Sequence, residues 1–234
     1  MDGDISLKNI LHARETLRGI SYTTQIKTHK DLDATASATV FLKCETLQRT
    51  GSFKFRGAYY AAVHAKTRGK ARAVATISSG NHGQGLALAA KLLDLSAHII
   101  IPKPYTERKF DAIAQQGAHA VAVDDRVSAS RMLQEIIRDK NAFHIHAFND
   151  PLVIAGQGTI MLELLEQISD LEVVLAPVGG GGLLSGLCIA AHELNPGLLL
   201  YACEPLGAAD AIESLRQNEI VPMPNPRDRK STRL

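Results

Sequence analysis

At 234 residues the chain is long enough for one large domain or two smaller ones with a sizeable core. Hydrophobic residues make up 45% and charged residues 21%, the make-up of an ordinary soluble globular protein. A net charge of +2, with no basic stretch interleaved with aromatics, gives no support to nucleic-acid binding.

The opening residues, Met1-Asp2-Gly3-Asp4, are acidic and lack the basic and apolar regions of a secretory signal. Residues 6–17 read as an amphipathic helix capped by Ser6, with Ile10, Leu11 and Leu17 turned inward. A short strand at 39–44 leads to Thr50-Gly51-Ser52-Phe53-Lys54-Phe55-Arg56-Gly57-Ala58, and 57–66 reads as helix. An apolar strand at 71–77 runs into the turn Ser78-Ser79-Gly80-Asn81-His82-Gly83 and a helix over 84–93. A buried strand at 97–101 ends at Pro102 and Pro104. Thr106 caps the next helix, whose Phe110, Ile113 and Ala114 share a face and which Gly117 closes. Then come a strand at 119–123, a helix at 128–140 carrying Met132, Leu133, Ile136 and Ile137, and a strand at 143–147. A helix over 158–168, an apolar strand at 171–178 and the loop Gly179-Gly180-Gly181-Gly182 follow. Helix 183–194, strand 198–203 and helix 209–216 complete the pattern.

Short strands, apolar on both faces and alternating with helices, predict a parallel sheet covered on both sides, hence an α/β fold. Ligands bind such sheets at the carboxyl ends of the strands, where both glycine turns fall. The longest uncharged run, 173–191, contains Pro177 and the four glycines, so it reads as strand, loop and helix rather than a membrane span. Cys44, Cys188 and Cys203 are odd in number, widely spaced and set in apolar sequence, which predicts reduced core thiols and a cytoplasmic protein.

Lys54 stands between two phenylalanines, with glycines on both sides and Tyr59 and Tyr60 just beyond. A lysine in a partly desolvated pocket loses its proton more readily, and the neutral amine can attack a carbonyl. Snorkelling over an apolar patch is the plainer alternative. The loop Gly179–Gly182 lets the backbone approach an anion closely, and its N–H groups and the following helix start supply positive potential. It holds no lysine or arginine, so it binds by backbone alone. One helix terminus contributes roughly 0.3–2 kcal/mol toward a charge, so several N–H groups must share a phosphate dianion. A tight turn needing glycine for packing is the alternative, which four in a row exceed. A nucleophilic lysine with a phosphate cradle points to pyridoxal phosphate, whose aldehyde condenses with a lysine.

A dinucleotide site needs glycines at i, i+2 and i+5. From Gly179, Gly180, Gly156 and Gly83 the last position is Leu184, Ser185, Met161 and Leu88, so every register fails, and no GxxxxGK[ST] loop is present. Ser78, Ser79, Asn81 and His82 offer two hydroxyls, an amide and an imidazole on one turn, suited to a substrate carboxylate and a ring hydroxyl. A helix capped by Ser79 or Asn81 accounts for the same residues. His82 could act as a general base, although a lone loop histidine more often only hydrogen-bonds. His144 and His146 share a strand face without a third ligand at metal spacing. Glu204 and Asp210 could hold a hard cation with help from backbone carbonyls, and by spacing alone a solvated loop explains them better.

In order and spacing, TGSFKFRGA, SSGNHGQG, Val153-Ile154-Ala155-Gly156-Gln157-Gly158-Thr159 and VGGGG resemble the serine/threonine dehydratase and serine racemase family, pyridoxal-phosphate enzymes of fold type II related to the tryptophan synthase β-subunit. The likeness runs from Ser6 to Pro224. It implies that Lys54 binds the cofactor's aldehyde beside Phe53, that Asn81 contacts its 3-hydroxyl and that Gly179, Gly180, Gly181, Gly182 and Leu183 hold its phosphate. Ser78, Ser79, Asn81 and His82 would then surround the substrate carboxylate, with Lys54 and Ser79 as catalytic residues. It further implies a small parallel-sheet domain, 73–149, inserted in a larger one made of 1–72 and 150–227. Glu204, Ala208 and Asp210 match the family's divalent-cation site, for Mg2+ or Ca2+. Many threonine dehydratases have alanine where this chain has Ser79, whereas serine racemases and hydroxyaspartate dehydratases keep serine.

The expected activity is a dehydratase that converts a small amino-acid substrate, serine or threonine, to a 2-oxo acid and ammonia. Serine racemase and hydroxyaspartate dehydratase are the alternatives within the family, and an inactive cofactor-binding fragment the alternative outside it. The last seven residues, 228–234, read as an artefactual tail, and the family's C-terminal segment, with the residue that faces the pyridine nitrogen, is missing. A full-length chain is expected to form a homodimer. The chain as written is expected to expose a sheet edge and apolar surface and to fold poorly or aggregate. Soluble, monodisperse protein with a cooperative melt would count against that.

Overall fold

The computed structural model describes residues 5–222. The expected tail, 228–234, lies outside them.

The chain folds as an α/β protein with parallel sheets. Helix α1 (Leu7–Leu17) starts at Ser6, whose main-chain N–H donates to Asn9 Oδ1 at 2.9 Å. Ile10 and Leu17 are buried as the periodicity predicts, while Leu11 is exposed. A small antiparallel pair, β1 (Ile26–Thr28) and β2 (Phe41–Lys43), encloses helix α2 (Lys30–Ala36). Helix α3 (Lys54–Thr67) begins three residues before the predicted start, so Lys54 is its first residue.

Four parallel strands form the first sheet: β3 (Ala73–Ile77), β4 (Ser96–Pro102), β5 (His119–Val123) and β6 (Phe143–His144), in the order β5-β4-β3-β6. Helices α4 (Asn81–Leu92), α5 (Glu107–Ala114) and α6 (Arg126–Lys140) supply the crossovers. Strands β3 and β4 are buried almost throughout, as their apolar sequence requires.

Helix α7 (Pro151–Gln167) starts seven residues earlier than predicted. Asp150 accepts the N–H groups of Leu152 and Val153, and Pro151 occupies the first helical position, where its missing N–H goes unused. It packs between α3 and helix α8 (Gly182–Leu194). Strand β7 (Val173–Pro177) pairs in parallel with β8 (Leu199–Cys203), and helix α9 (Asp210–Gln217) follows.

Cover on both faces fails for this second sheet. Strand β7 alternates, Val174 being 8% and Leu175 68% exposed, and its outward Val173 and Leu175 pair with exposed Leu199 and Tyr201 of β8. An apolar sequence sets what a strand can bury, and the neighbouring layers decide what it does bury. Nor are the cysteines core thiols: all three are free, Cys188 and Cys203 are exposed and Cys44 is half-buried. Among the described residues no helix is long and apolar enough to cross a membrane.

Candidate active site

The carboxyl end of β6 is the hub of the site. The segment Ile145–Asn149 leaves the strand and touches each of the three motifs. Ile145 accepts a hydrogen bond from His82 Nε2 at 3.2 Å, and the Ala147 carbonyl accepts one from Lys54 Nζ at 2.7 Å. Phe148 covers the glycine loop: a Cβ on Gly180 would fall 2.2 Å from its ring, and one on Gly182 would fall 2.6 Å from its carbonyl oxygen. His146 Nδ1 accepts the N–H of Asn149 at 2.9 Å and that of Phe148 at 3.3 Å, which closes this turn. The two backbone donors fix its proton on Nε2.

Lys54 is half-buried, with its ammonium 5.3 Å from the centre of the Phe53 ring. The second turn of α4 packs on its backbone, since a Cβ on Gly85 would lie 3.3 Å from the Lys54 carbonyl carbon. Just upstream the chain is strained. Thr50, a β-branched residue, sits at φ 62°, and the hydroxyls of Thr50 and Ser52 are buried without a partner. This local signature, invisible in the sequence, marks the approach to the lysine.

The turn at Ser78–Gly83 differs from the sequence expectation. Gly80, not Ser79 or Asn81, is the helix cap, and α4 starts at Asn81. Ser78 closes the turn, its hydroxyl accepting the N–H groups of Gly83 at 3.0 Å and Gly80 at 3.3 Å. Ser79 and Asn81 are half-buried at the helix start. His82 is 3% exposed, and burial, followed by the charge of Lys54, pushes its pKa down to about 3. It is therefore neutral near pH 7 and a poor general base. Its Nε2 proton goes to the Ile145 carbonyl and its Nδ1 is buried without a partner, so only its main-chain N–H is suited to meet a carboxylate.

The buried neutral His82 carries a pH signature. The unfolded chain takes up this proton near 6.5 and the folded chain only near about 3, so the unfolded state binds more protons between those values. Stability is then lost as pH falls through that window, by about 5 kcal/mol in all. His82→Gln keeps a donor toward Ile145 and removes the titration. Urea unfolding between pH 7 and 4.5 is expected to show about 2–3 kcal/mol less acid destabilisation in the variant. Parallel curves for the two proteins would disprove the assignment. His64, His98, His144 and His146, each held down chiefly by burial, act in the same sense and stay in both proteins.

In the glycine loop, packing accounts for more than the sequence allowed. Phe148 requires the absence of a side chain at Gly180 and Gly182, and Gly181, at φ +81°, occupies the left-handed region as the cap of α8. These restraints shape the loop without using its donors. The first intrahelical bond of α8 is Ser185 N to Gly181 O at 2.9 Å, so the N–H groups of Gly182, Leu183 and Leu184 precede it. Lys54 and these donors are linked through adjacent residues, Ala147 and Phe148. A compact molecule with an aldehyde at one end and a phosphate at the other fits that donor set.

Glu204 follows β8 beside the glycine loop, since Val178 N donates to Cys203 O at 3.0 Å. Its carboxylate accepts the N–H groups of Ala211 and Ile212 at 3.1 and 3.0 Å, at the start of α9. Among the described residues no group of three or more His, Cys, Asp or Glu side chains is placed to hold a metal. His144 ends β6 and His146 lies in the turn beyond it rather than on the strand, their ring centres 5.9 Å apart.

Comparison with known proteins gives a consistent result. A sequence model described as pyridoxal-phosphate dependent enzyme matches residues 18–232. Serine racemase of Dictyostelium discoideum is 39% identical over 217 residues, which cover 92% of this chain and 67% of that protein. L-threonine ammonia-lyase of Thermotoga maritima is 38% identical, over 91% of this chain and 53% of its own length. The solved structure of maize serine racemase superposes with a TM-score of 0.91 at 33% identity, covering 94% of this chain and 68% of that one. The chain thus spans between about half and two-thirds of the length of these relatives.

Proposed function

This chain belongs to the pyridoxal-phosphate dependent enzyme family, and on that premise we propose that it is an ammonia-lyase releasing a 2-oxo acid and ammonia from L-serine or L-threonine. The observation that carries the reading is the junction at Ala147 and Phe148, where the Lys54 amine and the glycine loop meet on two adjacent residues. Pyridoxal phosphate, bound there, would supply an aldehyde for Lys54 and an electron sink for the substrate's α-carbon. Lys54 would hold that aldehyde, and its amine is the group placed to accept the substrate's α-proton. The N–H groups at the start of α8 hold the phosphate, and Phe148 screens the loop from water. Asn81 orients the cofactor ring, while Ser79 and the main-chain N–H groups at the start of α4 receive the substrate carboxylate. In this reading 73–149 is a smaller domain inserted into 1–72 and 150–227, with the cofactor between them.

Serine racemase is the second reading, favoured by the Ser79 hydroxyl at the start of α4, where a proton donor to the opposite face of the α-carbon is needed. Incubation with L-serine and L-threonine in the presence of pyridoxal phosphate separates the two. A 2-oxo acid as main product supports the lyase, D-serine as main product supports the racemase, and neither from folded protein sinks both. The same reading assigns Glu204, the Ala208 carbonyl and Asp210 to a divalent cation, each Glu204 oxygen keeping a lone pair beyond its N–H bond. Calcium at millimolar concentration is then expected to raise Tm in the native chain and to leave Glu204→Gln unmoved. An equal rise in both would remove that site.

A further inference from the structure

Helix α7 carries Gly156 and Gly158 in the middle of 17 residues, where each is about 1 kcal/mol less favourable than alanine. Their neighbours supply a reason. A Cβ on Gly156 would lie 2.5 Å from Gly57 Cα and 2.9 Å from the Arg56 carbonyl oxygen, and one on Gly57 would lie 2.5 Å from the Val153 carbonyl oxygen. On the other side of α7, a Cβ on Gly186 would lie 2.5 Å from the Ile154 carbonyl oxygen and 2.6 Å from Gly158 N. These obstacles are backbone atoms in regular helices, which unlike the end of a side chain cannot turn aside.

Both crossings lie one turn inside the helix they serve. Gly57 is three residues past Lys54, and Gly186 is four past Gly182. We propose that Gly57 against Gly156, and Gly158 against Gly186, form a backbone spacer that sets the separation of the Lys54 amine from the glycine loop. The glycines are positioning residues. They bring α3 and α8 onto opposite sides of α7 with backbone against backbone at each crossing, beside the Gln157 side chain at the first and Ile10 at the second, so one small molecule can be held by its aldehyde and its phosphate at once. This deepens the proposed function and rests on it.

An ordinary contact begins near 3.4 Å, so alanine at either crossing drives the helices apart by roughly 1 Å, a displacement that costs on the order of 100-fold in a well-positioned site. The measurement is the ratio of affinities for pyridoxal 5'-phosphate and for pyridoxal, read from the Lys54-dependent visible absorption band. Pyridoxal keeps the aldehyde and lacks the phosphate, so the ratio isolates what the loop contributes given the place of Lys54. In Gly156→Ala and Gly186→Ala the ratio is expected to fall by about tenfold or more. Leu164→Ala, in the same helix but more than a turn beyond Gly158, opens a cavity away from the crossings. It is expected to lower Tm and leave the ratio unchanged. A ratio preserved in both glycine variants overturns the spacer even if they melt lower, and an equal loss in Leu164→Ala overturns it too, because general loosening would then suffice. If the native chain forms no Lys54-dependent band with either aldehyde, the functional reading falls and the spacer with it.

Discussion

On the proposed function, Lys54→Ala is expected to remain folded and to lack the visible absorption band expected of the native chain with added pyridoxal phosphate, together with about 1,000-fold or more of the proposed 2-oxo acid release. The side chain is half-buried, and its ammonium hydrogen-bonds the Ala147 carbonyl at the surface of the hub rather than bracing a core. Its removal leaves the Ala147 carbonyl to be met by water and is expected to shift Tm by only a few degrees. Lys54→Arg sharpens the test. A guanidinium can also donate to Ala147 but cannot be deprotonated to attack an aldehyde, so this variant should fold like the native chain and still lack the band. The alanine variant should also raise the His82 pKa, because the Lys54 charge is the second cause of its depression after burial. A band that persists in both variants would assign the aldehyde to another lysine and end the reading.

How far the site was legible depends on where its chemistry is written. Lys54 and the glycine run announce themselves by residue type. The Ala147 carbonyl does not, because every residue has a carbonyl and only the turn after β6 aims this one. Phe148 reads as one more apolar residue until the loop is seen to need its absent side chains. His82 shows the limit from the other side: its identity invites a proton-transfer role, and its burial removes it.

The same holds for the fold. Strands β3 and β4 and their helices were readable because each buries a full apolar run or stripe. Helix α2 has no buried residue and so no stripe to find, and β1 is three residues long. The first two turns of α7 were missed, the expected helix starting only at Gly158, and only the neighbouring helices explain glycine at 156 and 158 within it. Strand β7 was readable as a strand but not as half-exposed, since cover depends on what lies above it.

Arg56→Ala is expected to destabilise the chain by about 3–5 kcal/mol, lowering Tm by roughly 10–15 °C. Arg56 is 1% exposed, two residues past Lys54 on α3. Its guanidinium grips Glu45 through Nε at 2.9 Å and Nη2 at 2.7 Å, and Glu163 of α7 through both terminal nitrogens. Lys43 of β2 completes the cluster, bonded to Glu163, Gln167 and the Thr24 carbonyl. Two cations and two anions balance in the interior. Burial alone lowers the Arg56 pKa, but the hydrogen bonds and charges of Glu45 and Glu163 outweigh it and raise the pKa overall. Alanine there leaves two carboxylates with one cation, an excess charge at a site that water reaches only at its edge. The loss should largely survive high salt, unlike that of the exposed Arg14–Glu166 pair, because mostly buried charges are screened far less than exposed ones. A Tm within 2 °C of the native value would show that the cluster relaxes open at little cost. The paired variant Arg56→Met with Glu163→Leu asks what the charges are for, since replacing a buried ion pair by hydrophobic residues often recovers stability. If Tm returns while cofactor affinity stays low, the network orients the first turn of α3 and the lysine on it. If both return, it is a support that an apolar core replaces.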